Sequence, residues 1–289
     1  MTDHGRKPYR WASDLHTLMT AAFGKGRFPV PLELVAKDYS KQKFPGDPIV
    51  DIKGGSLGNF EGALYPVDGG WAIIYNSDVS AGRKRFTIAL ELGHYLMHRT
   101  MFPRGISCDE EAVTFRAGAD LEKEADTFAA NLLMPLDDYR QQLPATVMPD
   151  LGKLGSFAER YAVSLISCIL RWLEYTERRA MLVISRDDFV LWSRSSDHAL
   201  KTGLFLRTKN APPIEVPMYS LARRKDLVEH FDQSDLKTGV GQVFRHLDAD
   251  KPTAHHDDGF RLFALNKFFD AVGVGNAAQG TGGSGCNCA

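Results

Sequence analysis

Cysteine is scarce: Cys108, Cys168, Cys286 and Cys288 are the only four in 289 residues, and they are unevenly placed. That pattern excludes the disulfide framework of a small secreted domain and points to reduced thiols in the cytoplasm. Excess charge of either sign is also missing. With 35 Lys plus Arg against 36 Asp plus Glu, the net charge is −1, so no global field draws the chain to nucleic acid or to an anionic membrane. No continuous apolar run reaches the length of a signal peptide or a membrane span, and no stretch repeats. What is left is an ordinary globular composition, 44% hydrophobic and 25% charged, in a chain long enough to favour two domains.

Apolar side chains recur at helical intervals over residues 9–23 and 31–39. Between 48 and 77 the texture becomes β-branched and aromatic. There Ala63-Leu64-Tyr65 and Trp71-Ala72-Ile73-Ile74-Tyr75, separated by Pro66-Val67-Asp68-Gly69-Gly70, predict a hairpin. Helices are expected over 83–98 and over 121–134, the latter stopping at Pro135, with a loop over 100–120. Residues 157–162 and 164–175 read as a short helix pair with Ser164 capping the second member. From Arg179 the pattern returns to strands, 180–184 and 189–192 around a polar turn. Beyond residue 272 glycine and small polar residues dominate, which predicts a tail that buries too little surface to order.

The helix at 83–98 contains Leu90-Glu91-Leu92-Gly93-His94. A zinc peptidase of the HExxH type needs two histidines four residues apart, which sets both imidazoles on one helical face with the glutamate beside the metal-bound water. Here Glu91 and His94 are present and Leu90 stands where the first histidine belongs. Taken without their surroundings, these residues would be ordinary members of an amphipathic helix, with Leu90 packed on its apolar face.

The surroundings carry more. Arg85-Phe86-Thr87-Ile88-Ala89 before the motif, Tyr95-Leu96-Met97-His98 after it, and Glu122-Lys123-Glu124-Ala125-Asp126-Thr127-Phe128-Ala129-Ala130-Asn131-Leu132-Leu133-Met134-Pro135 downstream resemble the ImmA/IrrE family of zinc metallo-endopeptidases, over roughly residues 30–175. The resemblance implies Glu91 as general base, His94 as a zinc ligand and Glu122 as the third ligand. Glu124 is the fallback; Glu122 is preferred because Asp126, one turn further on the same face, is placed to orient a ligating histidine. Leucine has no lone pair, so the implied zinc keeps two assured protein ligands where an open catalytic site normally has three. His98 is a possible substitute, since His94 and His98 form an i, i+4 pair. The family pattern already carries a histidine there beside a complete motif, which makes packing or hydrogen bonding its ordinary role.

Other chemistry-bearing segments read more plainly. The helix pair around Ser164 is too apolar and too poor in clustered lysine or arginine for direct nucleic-acid binding. Arg223-Arg224-Lys225 reads as a solvated face, His255-His256-Asp257-Asp258 as a surface loop, and Cys286-Asn287-Cys288 as part of the tail.

The expected fold is α+β. A helical lead-in (1–29) precedes a zincin-like domain (30–145) with a small twisted sheet, then a helix-turn-helix-like segment (146–178), a smaller β-rich domain of sensor-like type (179–272) and the disordered tail (273–289). What the resemblance implies is a cytoplasmic metallo-endopeptidase that cleaves a helix-turn-helix transcriptional repressor in a stress or phage response. Leu90 opens the alternative: a metal-free pseudopeptidase that binds or sequesters the repressor without cutting it.

Overall fold

A computed structural model describes residues 5–58, 60–107, 116–186, 188–216, 243–244 and 261–266. The architecture is mixed α+β, in two compact units: Met1–Gln142 with Ser156–Ser164, and Leu143–Gly155 with Leu165–Ala289. No described helix is long and apolar enough to cross a membrane.

In the first unit, helix α1 (Pro8–Phe23) opens on proline, where the absent N–H forfeits no helical hydrogen bond. Its buried residues Trp11, Ala12, Leu15, His16 and Met19 recur at three- and four-residue steps and form the stripe that packs on α4 (Arg116–Leu133). Helix α2 (Leu32–Lys43) continues past the expected end at residue 39. Ser40 explains the extension: it is fully buried, its hydroxyl accepts from the Ile49 amide and donates to the Lys37 carbonyl, and so it belongs to the core.

The sheet has the order β1-β3-β2-β4, with β1 Ile49–Gly55, β2 Gly62–Val67, β3 Gly70–Asn76 and β4 Ile106–Ser107. β2 and β3 are the expected hairpin, with Ala63 opposite Ile74, but both strands run further and leave only Asp68 and Gly69 as the turn. Gly69 supplies the positive φ of 82° that the turn needs. Pro66 is tolerated inside β2 because β4 reaches only Ala63 and Leu64, so that end of the strand is an edge. β1 runs parallel to β3, and a parallel neighbour leaves no local turn signal.

Helix α3 (Ala81–Met97) packs on β2, β3 and α4. Ser80 caps it, its side chain accepting from the Arg83 amide at 3.4 Å. Every residue from Thr87 to Leu96 is buried, so this is an interior helix and the amphipathic pattern does not describe it. The stretch expected to be loop between 100 and 120 contains β4 and the first turn of α4, which begins at Arg116. Pro135 ends α4 but leads straight into α5 (Leu136–Gln142), the Tyr139 amide bonding to the Pro135 carbonyl. On α5, Asp138 accepts from the Tyr161 hydroxyl at 2.6 Å and from Arg160 at 3.0 Å, tying α5 to the end of α6 (Leu151–Tyr161).

His16 titrates within this core. Its Nε2–H donates to the Leu132 carbonyl at 2.9 Å in the α1–α4 seam. Burial, outweighing the two backbone hydrogen bonds, holds its pKa below 6.5. The unfolded chain therefore takes the proton first: the stability linked to His16 is present above about pH 6.5 and is lost as pH falls through the folded value. His16→Gln should flatten the fall in unfolding free energy between pH 7.5 and 5.5, by at most ~1.4 kcal/mol per pH unit, as read by urea denaturation.

The second unit contains α7 (Leu165–Leu173), whose Leu165, Cys168, Ile169, Trp172 and Leu173 are buried, as is Arg171, paired with Glu174 at 2.6 Å. Its sheet has the order β6-β5-β8-β7. β5 (Ala180–Arg186) and β6 (Phe189–Ser195) form the expected hairpin, and β8 (Arg261–Asn266) lies parallel to β5 and antiparallel to β7 (Val243–Phe244). A five-residue helix α8 (Asp197–Lys201), capped by Ser196, follows β6; it is too short to leave a periodic pattern. Arg223-Arg224-Lys225, His255-His256-Asp257-Asp258, Cys286-Asn287-Cys288 and the tail from 273 lie outside the described residues.

Candidate functional site

The residues singled out by the motif lie where α3 meets α4. Gly93 sets how closely the helices approach, because a Cβ there would stand 2.9 Å from Phe128 Cδ1 and 3.3 Å from Ala125 Cα. Gly62 makes a matching allowance for β2: its Cβ would stand 2.3 Å from Thr87 Cγ2 and 3.3 Å from Glu91 Oε1. The Glu91 carboxyl group thus lies directly against the β2 backbone, fully buried. Gly62 is missing from the motif reading, although a glycine inside a strand pattern is itself a sign of close backbone approach. Arg83, in the first turn of α3, pairs with Glu61 just before β2, a pairing that leaves no signal in the motif.

Among the α4 carboxylates the structure distributes partners unambiguously. Glu122 Oε1 comes to 3.3 Å from His94 Nε2, and Glu124 Oε2 to 3.2 Å from His98 Nε2. His94 and His98 meet through their Nδ1 atoms at 3.0 Å, so His98, and not Asp126, holds the back of the His94 ring. The His94–Glu122 contact has the distance of an ion pair, and His94 is buried to 1% exposure at that point.

Protonation follows from these neighbours. Burial opposes charge on His94, yet Glu122, Glu91 and Asp126 together outweigh it and raise the imidazole pKa above 6.5. His98 moves the other way, lowered by burial and then by His94, with Glu124 unable to compensate. Burial and the adjacent Glu122 push Asp126 up to about 6, moderated by Arg83 and His94. His94 and Asp126 both hold their protons more tightly, the response expected of a buried cluster richer in carboxylates than in cations.

Zinc can be tested against this geometry. Two ligands on one tetrahedral zinc, at about 2.0–2.1 Å each, are separated by roughly 3.3 Å, and His94 Nε2 and Glu122 Oε1 are separated by 3.3 Å. Two of the three positions are therefore shaped for metal. The third is Leu90, 9% exposed, on the His94 face one turn earlier. His98 is not brought to that point, because its nitrogens face His94 and Glu124. Among the described residues no three His, Cys, Asp or Glu side chains are grouped to hold a metal. The residues present do not fit a three-ligand catalytic zinc.

Comparison with known proteins agrees with the motif blocks. Residues 49–172 match the family model Peptidase_M78, the IrrE N-terminal-like domain, so this segment is similar to that domain over somewhat less than half of the chain. No curated protein matches the chain. Among solved structures it is similar to a Mycobacterium tuberculosis transcriptional regulator at 15% identity and a TM-score of 0.39, covering 65% of this chain and 60% of that one.

Proposed function

We propose that this chain is a zincin-like regulator of the ImmA/IrrE type that acts on a helix-turn-helix transcriptional repressor by binding it, without cutting it. The observation that carries the reading is Leu90, a buried aliphatic side chain at the position where the motif requires a histidine. Peptide hydrolysis of this kind depends on a metal to polarise the carbonyl and to lower the pKa of the attacking water. Glu91 alone, buried against β2, supplies a proton acceptor but no electrophile.

A second reading, cleavage of the same repressor by a zinc endopeptidase, is favoured by the retained Glu91, His94 and Glu122 and by the 3.3 Å ligand spacing. Purified helix-turn-helix repressors from the source genome separate the two. The binding reading expects at least one to be retained on the immobilised full chain and recovered at full length after prolonged incubation with zinc. Recovery of discrete fragments establishes cleavage instead, and retention of none sinks both readings.

A further inference from the structure

We propose that His98, backed by Glu124, is a positioning residue for His94, fixing which edge of the imidazole faces Glu122. Three distances carry the argument: Glu124 Oε2 to His98 Nε2, 3.2 Å; His98 Nδ1 to His94 Nδ1, 3.0 Å; and His94 Nε2 to Glu122 Oε1, 3.3 Å.

The direction of each hydrogen bond follows from what its partners can do. A carboxylate oxygen only accepts, so His98 presents Nε2–H to Glu124. A neutral His98 with its proton on Nε2 has a lone pair on Nδ1, and that lone pair accepts from His94 Nδ1–H. The His94 ring is then held by its back edge, and its Nε2 edge is directed at Glu122. Both histidines are 1% exposed, so water does not compete for the bond between them, and the ring centroids lie 5.1 Å apart and tilted by 57°, which leaves the Nδ1 atoms as the point of contact. The arrangement uses only side chains of α3, its C-cap residue His98 and α4, and needs no metal. It accounts for a metal-type orientation of His94 in a chain whose first ligand position is leucine.

The inference rests on the proposed function only for the site's significance, and its test uses the free full-length chain. In the 15N-labelled protein, a scalar coupling across the hydrogen bond between His94 Nδ1 and His98 Nδ1 is expected, with His94 Nδ1–H in slow exchange with water. His98→Leu removes the acceptor and should abolish the coupling and reduce protection of that proton about tenfold. His98→Asn, whose Oδ1 restores an acceptor, should recover the protection. Glu124 is half exposed, with 48% of its side chain accessible, so Glu124→Ala tests the same wiring at little risk to folding: it should lower the protection, while Glu124→Gln, which keeps an acceptor, should not. Absence of the coupling in the unmodified chain overturns the inference, as does unchanged protection in Glu124→Ala. Failure to bind a repressor leaves it standing.

Discussion

Leu90→His is expected to give a chain that binds one zinc ion tightly where the unmodified chain does not. A histidine at 90 lies one helical turn before His94 on the same face, and His94 Nε2 with Glu122 Oε1 already has the separation of two zinc ligands. The substitution therefore adds a missing donor to a partly formed cage. The gain in affinity should exceed the roughly 10–100-fold that outer hydrogen-bonding partners of a metal contribute, because a direct ligand is being restored. Competition against a chromogenic chelator reads it directly. Zinc at a hundred times its dissociation constant should also add about 2.7 kcal/mol to the variant's stability. Without zinc the variant should be less stable than the unmodified chain, since a polar ring replaces a buried leucine. An unchanged zinc affinity would show that His94 and Glu122 do not define the site.

The close approach of α3 to α4 at Gly93 should give large effects on stability. Gly93→Ala places a Cβ 2.9 Å from Phe128 Cδ1 and is expected to cost ~1–3 kcal/mol as an overpacked core substitution. Phe128 is fully buried, so Phe128→Ala should cost ~3–5 kcal/mol through lost burial and a residual cavity. The two share one volume. In the double variant the new methyl enters the space vacated by the ring, and the combined loss should fall short of the sum by ~1 kcal/mol or more. Chemical denaturation of the four proteins checks it; strict additivity would mean that Gly93 does not set the helix separation through Phe128.

The legibility of this chain follows the range of the signals it contains. α1 and the β2–β3 hairpin were visible because their cues are local: helical spacing in one, and a glycine-bearing turn between aromatic and β-branched runs in the other. β1 was not, because its partner β3 lies parallel to it across a gap in sequence. β4 and α8 are too short to carry periodicity. α3 was found for its motif, yet its burial from Thr87 to Leu96 contradicts the amphipathic face that periodicity alone would assign. At the site, the sequence names Glu91, His94, His98, Glu122 and Glu124, while their pairing depends on the rotation of α4 against α3. That rotation is what sets Glu122 on His94 and Glu124 on His98. Gly62 and Arg83 enter only once β2 is seen to lie over the helix.

On the proposed reading, Leu90 leaves the chain without metal chemistry while the α3–α4 packing around it stands. The most direct test of that reading is the zinc content of the unmodified full-length chain, purified after expression with added zinc and desalted. The account predicts far less than one zinc per chain, with the same melting temperature before and after chelation. One zinc per chain that survives desalting, with a lower melting temperature once it is stripped, would contradict it.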